Sequence, residues 1–281
     1  MVRRDDPVGL VYAAAHAGFS AEAVPLGGGG AVADALIGEW AEEFSPLEVL
    51  NPAVLGASAP MGRDLVRFDE RAYARFCREF SGAVTERILR GDPARTRVLI
   101  NDISEAPDFA RLAGAGFALT TIYHVDVVAY VAKIYARDVL DPVFLARLYD
   151  WFAPLYPKIA KLVFEKQKQS LEHSKLVVVP SRPMRDLLLA CYPKTPPARI
   201  RVLPWGQWSR EWPAEEVAAE VARLRSAFGI DGSRPVVLTL SRLSPEKGQD
   251  QLIDALAGIE ARSPVDCVIC GEAAYMMGVR F

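Results

Sequence analysis

Histidine and cysteine are both scarce in this chain, with three of the first and four of the second. Cys77, Cys191, Cys267 and Cys270 are scattered, as expected of a cytoplasmic protein in a reducing compartment, and offer no disulfide framework. The last two have the spacing of a redox or zinc pair. They fall inside an apolar run, however, where residues three apart point to opposite faces of a strand, and packing is the expected role. An excess of one charge is also lacking. With 33 basic against 35 acidic side chains, nothing suggests a nucleic-acid partner. No uncharged stretch reaches the roughly 18 residues of a membrane span, so the chain reads as soluble. Arg3 and Arg4 precede an apolar run, but Asp5, Asp6 and Pro7 interrupt it. Val8 to Ala15 is therefore read as a first strand and not as a secretion signal. Internal repeats and low-complexity tracts are absent from the sequence.

What the 281 residues do contain is enough apolar content for a core and a regular alternation of short apolar runs with amphipathic stretches. Strands are expected at Val8 to Ala15, more weakly within Glu48 to Leu55, then at Arg97 to Asn101, Ala118 to Tyr123, Leu176 to Val179 and Ile200 to Leu203. Helical patterns run through Ala31 to Phe44, Glu70 to Arg90, Asp126 to Arg137, Pro142 to Ser170 with a break near Pro154 to Pro157, and Arg182 to Cys191. A further helix near Ala214 to Phe228 leads into Asp231-Gly232-Ser233, a plausible hinge. This order predicts an α/β fold with a parallel sheet covered by helices.

The most informative segment comes late. Pro235 to Leu240 reads as a buried strand, and Ser241-Arg242-Leu243-Ser244-Pro245-Glu246-Lys247-Gly248 follows it. Ser244 suits an N-cap, Pro245 a first helical position and Glu246 the positive end of the helix dipole, while Leu252, Ile253, Leu256 and Ile259 recur at helical spacing. Val265 to Gly271 makes a second strand, so the unit is βαβ. A helix start flanked by Arg242 and Lys247 suits diphosphate oxygens. The same residues also suit a capped helix with two solvated cations.

Other candidates lie upstream. Gly27, Gly28, Gly29 and Gly30, placed before the helix at Ala31, let backbone approach a ligand, or form a flexible connector. They lack the spacing of a dinucleotide fingerprint or a P-loop. His124 ends a strand at the sheet edge where ligands bind, with Asp126 two residues on. Its imidazole is suited to hydrogen-bond a sugar hydroxyl, to shuttle a proton, or to satisfy a loop carbonyl. His16 also follows a strand, at a position chemically less demanding, and His173 reads as solvated. The helix carrying Lys158, Lys161, Lys166 and Lys168 permits peripheral membrane contact, but a surface helix with its apolar face in the core is favoured.

Together these residues resemble glycosyltransferase family 4, the retaining nucleotide-sugar enzymes of the GT-B fold. The specific part is Leu240 to Gly248 with the helix Gln251 to Ala257, which looks like the segment opening that family's donor-binding domain. Supporting pieces are Val179-Pro180-Ser181, Arg199 to Gly206, the glycine loop and Tyr123-His124. The resemblance implies a Rossmann-like acceptor-side domain over residues 1–206, a connector over 207–233, and the first βαβ unit of a donor-binding domain over 234–281. It implies transfer of a sugar from a nucleotide-sugar donor to a hydroxyl of a glycan, lipid or small-molecule acceptor. Arg242 and Lys247 would hold the donor diphosphate, Gly27 to Gly30 would lie near donor phosphate and acceptor, and His124 would be the catalytic-site contact to the transferred sugar. Asp126, Gly271 and Glu272 would be further sugar contacts. Retention in the family is described as same-face attack assisted by the leaving phosphate, so neither an enzyme nucleophile, a metal nor another cofactor is implied.

Two departures accompany the likeness. The family's Pro-Asn-Gly-like turn is Pro204-Trp205-Gly206 here, and the later donor-domain strands and paired glutamates have no counterpart before Phe281. The expectation is therefore a C-terminally incomplete transferase of little or no activity in the 281-residue form. The alternative is a noncatalytic acceptor-binding half that needs a partner chain. A nicotinamide-dependent oxidoreductase would rest only on the α/β alternation and the glycines.

Overall fold

The computed structural model of the protein describes residues 9–18, 27–43, 46–60, 68–129, 141–156, 158–206, 211–230, 232–243, 247–259 and 264–271. The chain divides into two compact units, Met1–Trp205 and Gly206–Phe281.

In the first unit the apolar runs form strands β1 (Gly9–Ala13), β2 (Leu47–Leu50), β3 (Thr96–Ile100), β4 (Ala118–Ile122), β5 (Leu176–Val179) and β6 (Ile200–Val202). Helices α1 (Gly27–Glu43), α2 (Glu70–Ile88), α3 (Phe109–Gly114), α4 (Pro142–Phe152), α5 (Lys158–His173) and α6 (Arg182–Cys191) alternate with them. The strands make one six-stranded sheet in the order β2-β1-β3-β4-β5-β6, parallel throughout. Period-two alternation sorts its side chains into two layers. Val11, Ala13, Val98 and Ile100 pack with Phe76, Phe80 and Val84 of α2 and with Phe109 and Leu112 of α3. Tyr12, Leu99 and Ile122 pack on the other side, with Ala33, Leu36, Ile37 and Trp40 of α1. Burial on both faces explains why these strands read as continuous apolar runs.

Short polar side chains start the helices. Asp69, Asp108, Asp141 and Ser181 accept hydrogen bonds from the backbone N–H groups of Ala72, Arg111, Val143 and Met184. The strand expected within Glu48 to Leu55 stops at Leu50, because Asn51 caps a 3-10 segment opened by Pro52 and running to Ser58. The long stretch from Pro142 is broken as expected, by a 3-10 segment at Ala153–Leu155. The helix expected from Asp126 begins at Val127, and its course past Ala129 lies outside the described residues. The lysine-rich α5 buries Ala160, Val163, Phe164, Gln167, Ser170 and Leu171. Its Lys166 ammonium turns inward and donates to Ser81 Oγ at 2.9 Å and to the carbonyl oxygens of Ala106 at 2.6 Å and Pro107 at 3.0 Å. No helix among the described residues is long and apolar enough to cross a membrane.

The second unit contains α7 (Ala214–Phe228), β7 (Val236–Leu240), α8 (Gln249–Ile259) and β8 (Asp266–Cys270). Strands β7 and β8 pair in parallel from Val236↔Asp266 to Leu240↔Cys270, giving the expected βαβ unit. Within β8, Cys267 is exposed and Cys270 half-buried on the opposite strand face, and both are free thiols.

Candidate functional site

The order of the sheet locates the site. Strand β1 has β2 on one side and β3 on the other, so the chain reverses direction across the sheet between β1 and β3. Loops leaving the carboxyl ends of strands diverge at such a reversal and leave room for ligands. Here β1 runs on to His16, β3 to Asn101 and Asp102, and β4 to His124. Backbone bonds hold two of these extensions: Asn101 N–H donates to Ala13 O at 2.9 Å, and Tyr123 N–H donates to Val178 O at 2.8 Å.

The three strand ends share one hydrogen-bond network. His16 Nδ1 lies 2.9 Å from Asp102 Oδ1 and its Nε2 lies 3.8 Å from Glu105 Oε1. The other carboxylate oxygen of Asp102 accepts from Ala15 N–H at 2.7 Å. Asn101 Nδ2 donates to Asp102 Oδ1 at 3.3 Å, while Asn101 Oδ1 accepts from the Tyr12 hydroxyl at 2.5 Å and faces His124 Nε2 at 2.9 Å. Tyr73 donates its hydroxyl proton to Glu105. Tyr12, Asn101 and Glu105 are buried, and His16, Asp102 and His124 are partly exposed.

Burial sets much of the electrostatics. It would raise the Asp102 carboxyl, but the neighbouring His16, followed by His124 and the Asn101 amide, outweighs it and holds Asp102 below the usual carboxylate range. Glu105 is pushed up by burial, with Asp102 adding to the push and His16 opposing it. Burial lowers the His124 imidazole, partly offset by Asp102, so the neutral ring is favoured at neutral pH. The Tyr12 phenol is held protonated, first by burial and then by Asp102.

The four glycines stand in this site, though not as a loop. They form the first turn of α1, which starts at Gly27 and not at Ala31. Glycine's helix-propensity cost of about 1 kcal/mol predicts a connector, and close approach overrides it. A Cβ on Gly30 would lie 3.0 Å from the His16 carbonyl oxygen, and one on Gly29 would lie 3.6 Å from the His124 ring. The glycines thus bring a helix N-terminus, whose first N–H groups have no partner within the helix, up to both histidines. Trp205 completes this side of the sheet. Its indole lies 5.3 Å from the His124 ring, tilted by 40°, and packs with the layer around Tyr12 and Leu99.

His124 lies beside the glycine turn. His16 proves to be central, contrary to the lesser place expected for it. Asn101, Asp102, Glu105 and Tyr12 are missed by sequence reading; the available signal was that Asn101-Asp102 follows β3 just as His124 follows β4. Asp126 lies elsewhere. It is buried, and its Oδ1 accepts from Ala129 N–H at 2.9 Å and from Gln167 Nε2 at 3.2 Å. That is a helix-capping position, and burial raises the carboxyl despite these donors.

The second unit holds the remaining candidates. Arg242 is half-buried and Lys247 exposed, both in the segment between β7 and α8. The helix α8 runs from Gln249, and the expected start at Ser244-Pro245, with Glu246, lies outside the described residues. Gly248 has φ +70°, a left-handed residue that separates Lys247 from this helix. Buried Gln249 then ties the segment back, its Nε2 donating to Ser241 Oγ at 2.9 Å and to Arg242 O at 2.7 Å. Gly271 ends β8 so close to this segment that a Cβ would fall 1.8 Å from Ser241 O. Glu272 lies outside the described residues.

Comparison with known proteins bears on this second segment most directly. Residues 220–277 match the model of the family described as glycosyl transferases group 1. The match spans β7, the Arg242–Lys247 segment, α8 and β8. A stretch of 56 residues is 48% identical to the GDP-mannose-dependent alpha-(1-6)-phosphatidylinositol monomannoside mannosyltransferase of Mycolicibacterium smegmatis (strain ATCC 700084 / mc(2)155), covering 20% of this chain and 14% of that protein. In fold, the chain is similar to Anabaena Alr3699/HepE solved with UDP and glucose, at a TM-score of 0.55 and 14% identity, covering 97% of this chain and 63% of the other. The same protein solved with UDP-glucose gives a TM-score of 0.51 at 16% identity, covering 95% and 62%. The architecture is thus an α/β fold with a six-stranded parallel sheet, similar to that of these solved structures. The chain spans less than two thirds of the length of each of these proteins.

Proposed function

We propose that this chain belongs to a glycosyltransferase of the family 4 type, which moves a sugar from a nucleotide-sugar donor to an acceptor hydroxyl with retention. The observation that carries this reading is the group 1 glycosyltransferase match over residues 220–277, with Arg242 and Lys247 inside it. In this reading the two cations neutralise the donor diphosphate and the charge that grows on it as the sugar leaves. His124 meets a hydroxyl of the sugar, and the amides of the α1 start, at Gly27 to Gly30, serve the phosphate or acceptor side. A side chain that attacks the sugar is not required, because the leaving phosphate assists the incoming hydroxyl on the same face. Residues 1–206 then act on the acceptor side, 207–233 connect, and 234–281 contribute to donor binding.

The similar proteins point to different nucleotide sugars, a GDP-mannose dependence in one and a complex with UDP-glucose in the other. Calorimetric titration of the 281-residue protein with each of these donors tests the reading. Saturable binding of at least one donor, lost when Arg242 and Lys247 are both changed to alanine, is expected. Absence of binding to both by folded protein would overturn it.

A further inference from the structure

We propose that Asn101 is a positioning residue that fixes the tautomer of His124, so that the imidazole presents an unprotonated Nδ1 to a hydroxyl of the bound sugar; the ligand half of this statement rests on the function proposed above.

The argument starts at Asp102. Its carboxylate oxygens only accept hydrogen bonds, and one of them lies 3.3 Å from the terminal nitrogen of Asn101. Turning the Asn101 amide over would set its oxygen against that carboxylate, acceptor against acceptor. Asn101 therefore keeps Nδ2 toward Asp102 and Oδ1 toward Tyr12 and His124. The Tyr12 hydroxyl, kept protonated, donates to Oδ1 at 2.5 Å. His124 Nε2 meets the same oxygen at 2.9 Å. An amide oxygen cannot donate, so Nε2 must carry the hydrogen. A neutral imidazole has a single N–H, and Nδ1 is left with its lone pair.

Two further observations make that lone pair available. Nδ1 of His124 has no hydrogen-bond partner among the described residues, and the ring is partly exposed. Gly29 and Trp205 bound it, the first with no side chain and the second 5.3 Å away, so the ring is held and not enclosed. A lone pair on a fixed ring at a sheet edge accepts a hydrogen bond from a hydroxyl. An Nδ1–H tautomer would instead demand an acceptor from the ligand. The direction of the hydrogen bond to the sugar is thus decided two residues away, by the orientation of one amide.

Long-range proton–nitrogen NMR spectra of protein carrying nitrogen-15 histidine report tautomers directly, and with three histidines the His124 signals are identified by their loss in His124→Gln. The wild-type protein at neutral pH should show His124 as a single Nε2–H form. Tyr12→Phe, which removes only a second donor to Oδ1, should leave that form unchanged. Asn101→Leu should shift His124 to a mixture containing Nδ1–H. If Asn101→Leu does not fold, Asp102→Asn serves instead, since a neutral amide at 102 no longer dictates which way Asn101 turns. An Nδ1–H form in wild type, or an undisturbed Nε2–H form in the folded variant, overturns the positioning role. These spectra need no ligand, so their failure is separate from failure of the transferase reading. Saturating UDP-glucose or GDP-mannose should then move the wild-type Nδ1 resonance, and an Nδ1 signal unmoved by a donor that binds overturns the ligand half.

Discussion

Nδ1 of His16 lies 2.9 Å from Oδ1 of Asp102, joining the end of β1 to the end of β3 across the reversal of the sheet. That contact makes Asp102 an ionised anchor. Its lowered carboxyl contributes stability in full above the ordinary aspartate value of about 3.9, and this is lost as pH falls through the lower folded value.

His124 gives a loss in the same direction, on acidification, in a higher window. Its folded value is depressed, so below about pH 6.5 the unfolded chain takes up a proton that the native ring resists, and stability falls with pH. His124→Gln removes this contribution. Urea unfolding at pH 7 and pH 5.5 should show a smaller loss on acidification in the variant than in wild type. An equal loss in the two proteins would contradict the assignment.

The glycine turn offers an internally controlled pair. Gly30→Ala places a methyl 3.0 Å from the His16 carbonyl and should cost about 1–2 kcal/mol in unfolding free energy. Gly38→Ala, in the same helix with nothing within 4 Å, should stabilise by about 0.5–1 kcal/mol. Thermal melts of both variants check the contrast, which vanishes if the close approach is not real.

Lys166 ties α5 to α2 and to the segment after β3. Lys166→Met leaves the Ala106 and Pro107 carbonyls without their charged donor, and should destabilise the protein by roughly 2–3 kcal/mol in urea titration. Burial brings the Lys166 ammonium down to about 8, against about 10.4 in an unfolded chain. Between those values the unfolded state binds more protons, so wild-type stability should gain from this group as pH rises from 8 to 10. The methionine variant should lack that gain.

Arg242 and Lys247 can be told apart by geometry. A guanidinium offers a planar fork and an ammonium a point charge, so Arg242→Lys should recover little of the affinity lost in Arg242→Ala, whereas Lys247→Arg should retain most of it. Each alanine variant should weaken nucleotide-sugar binding by roughly tenfold to a hundredfold. Calorimetry at two salt concentrations provides the measurement, and full recovery with Arg242→Lys would rule out fork-like recognition.

Local chemistry explains what could be read from the chain in advance. Helices α6 and α7 lie where their periodicity and flanking prolines put them, and β5 matches its apolar run. Helix α3 escaped notice because six residues with Phe109 and Leu112 as anchors show no periodicity. The boundary between Lys247 and α8 depends on the left-handed Gly248, and the helical glycines of α1 depend on contact with residues distant in sequence. The site divides in the same way. His124 and the glycines stand out by position, but Tyr12 and Asn101 are 89 residues apart and acquire meaning only when adjacent strands bring them together.

Trp205 against His124 gives the molecule an optical reporter of its own. An imidazolium quenches a nearby indole more strongly than the neutral ring does, so the emission of Trp205 follows the protonation of His124 without any added dye. Of the five tryptophans, Trp205 is the one in ring contact with a histidine among the described residues, and the quenching can be isolated as the difference between wild type and His124→Gln.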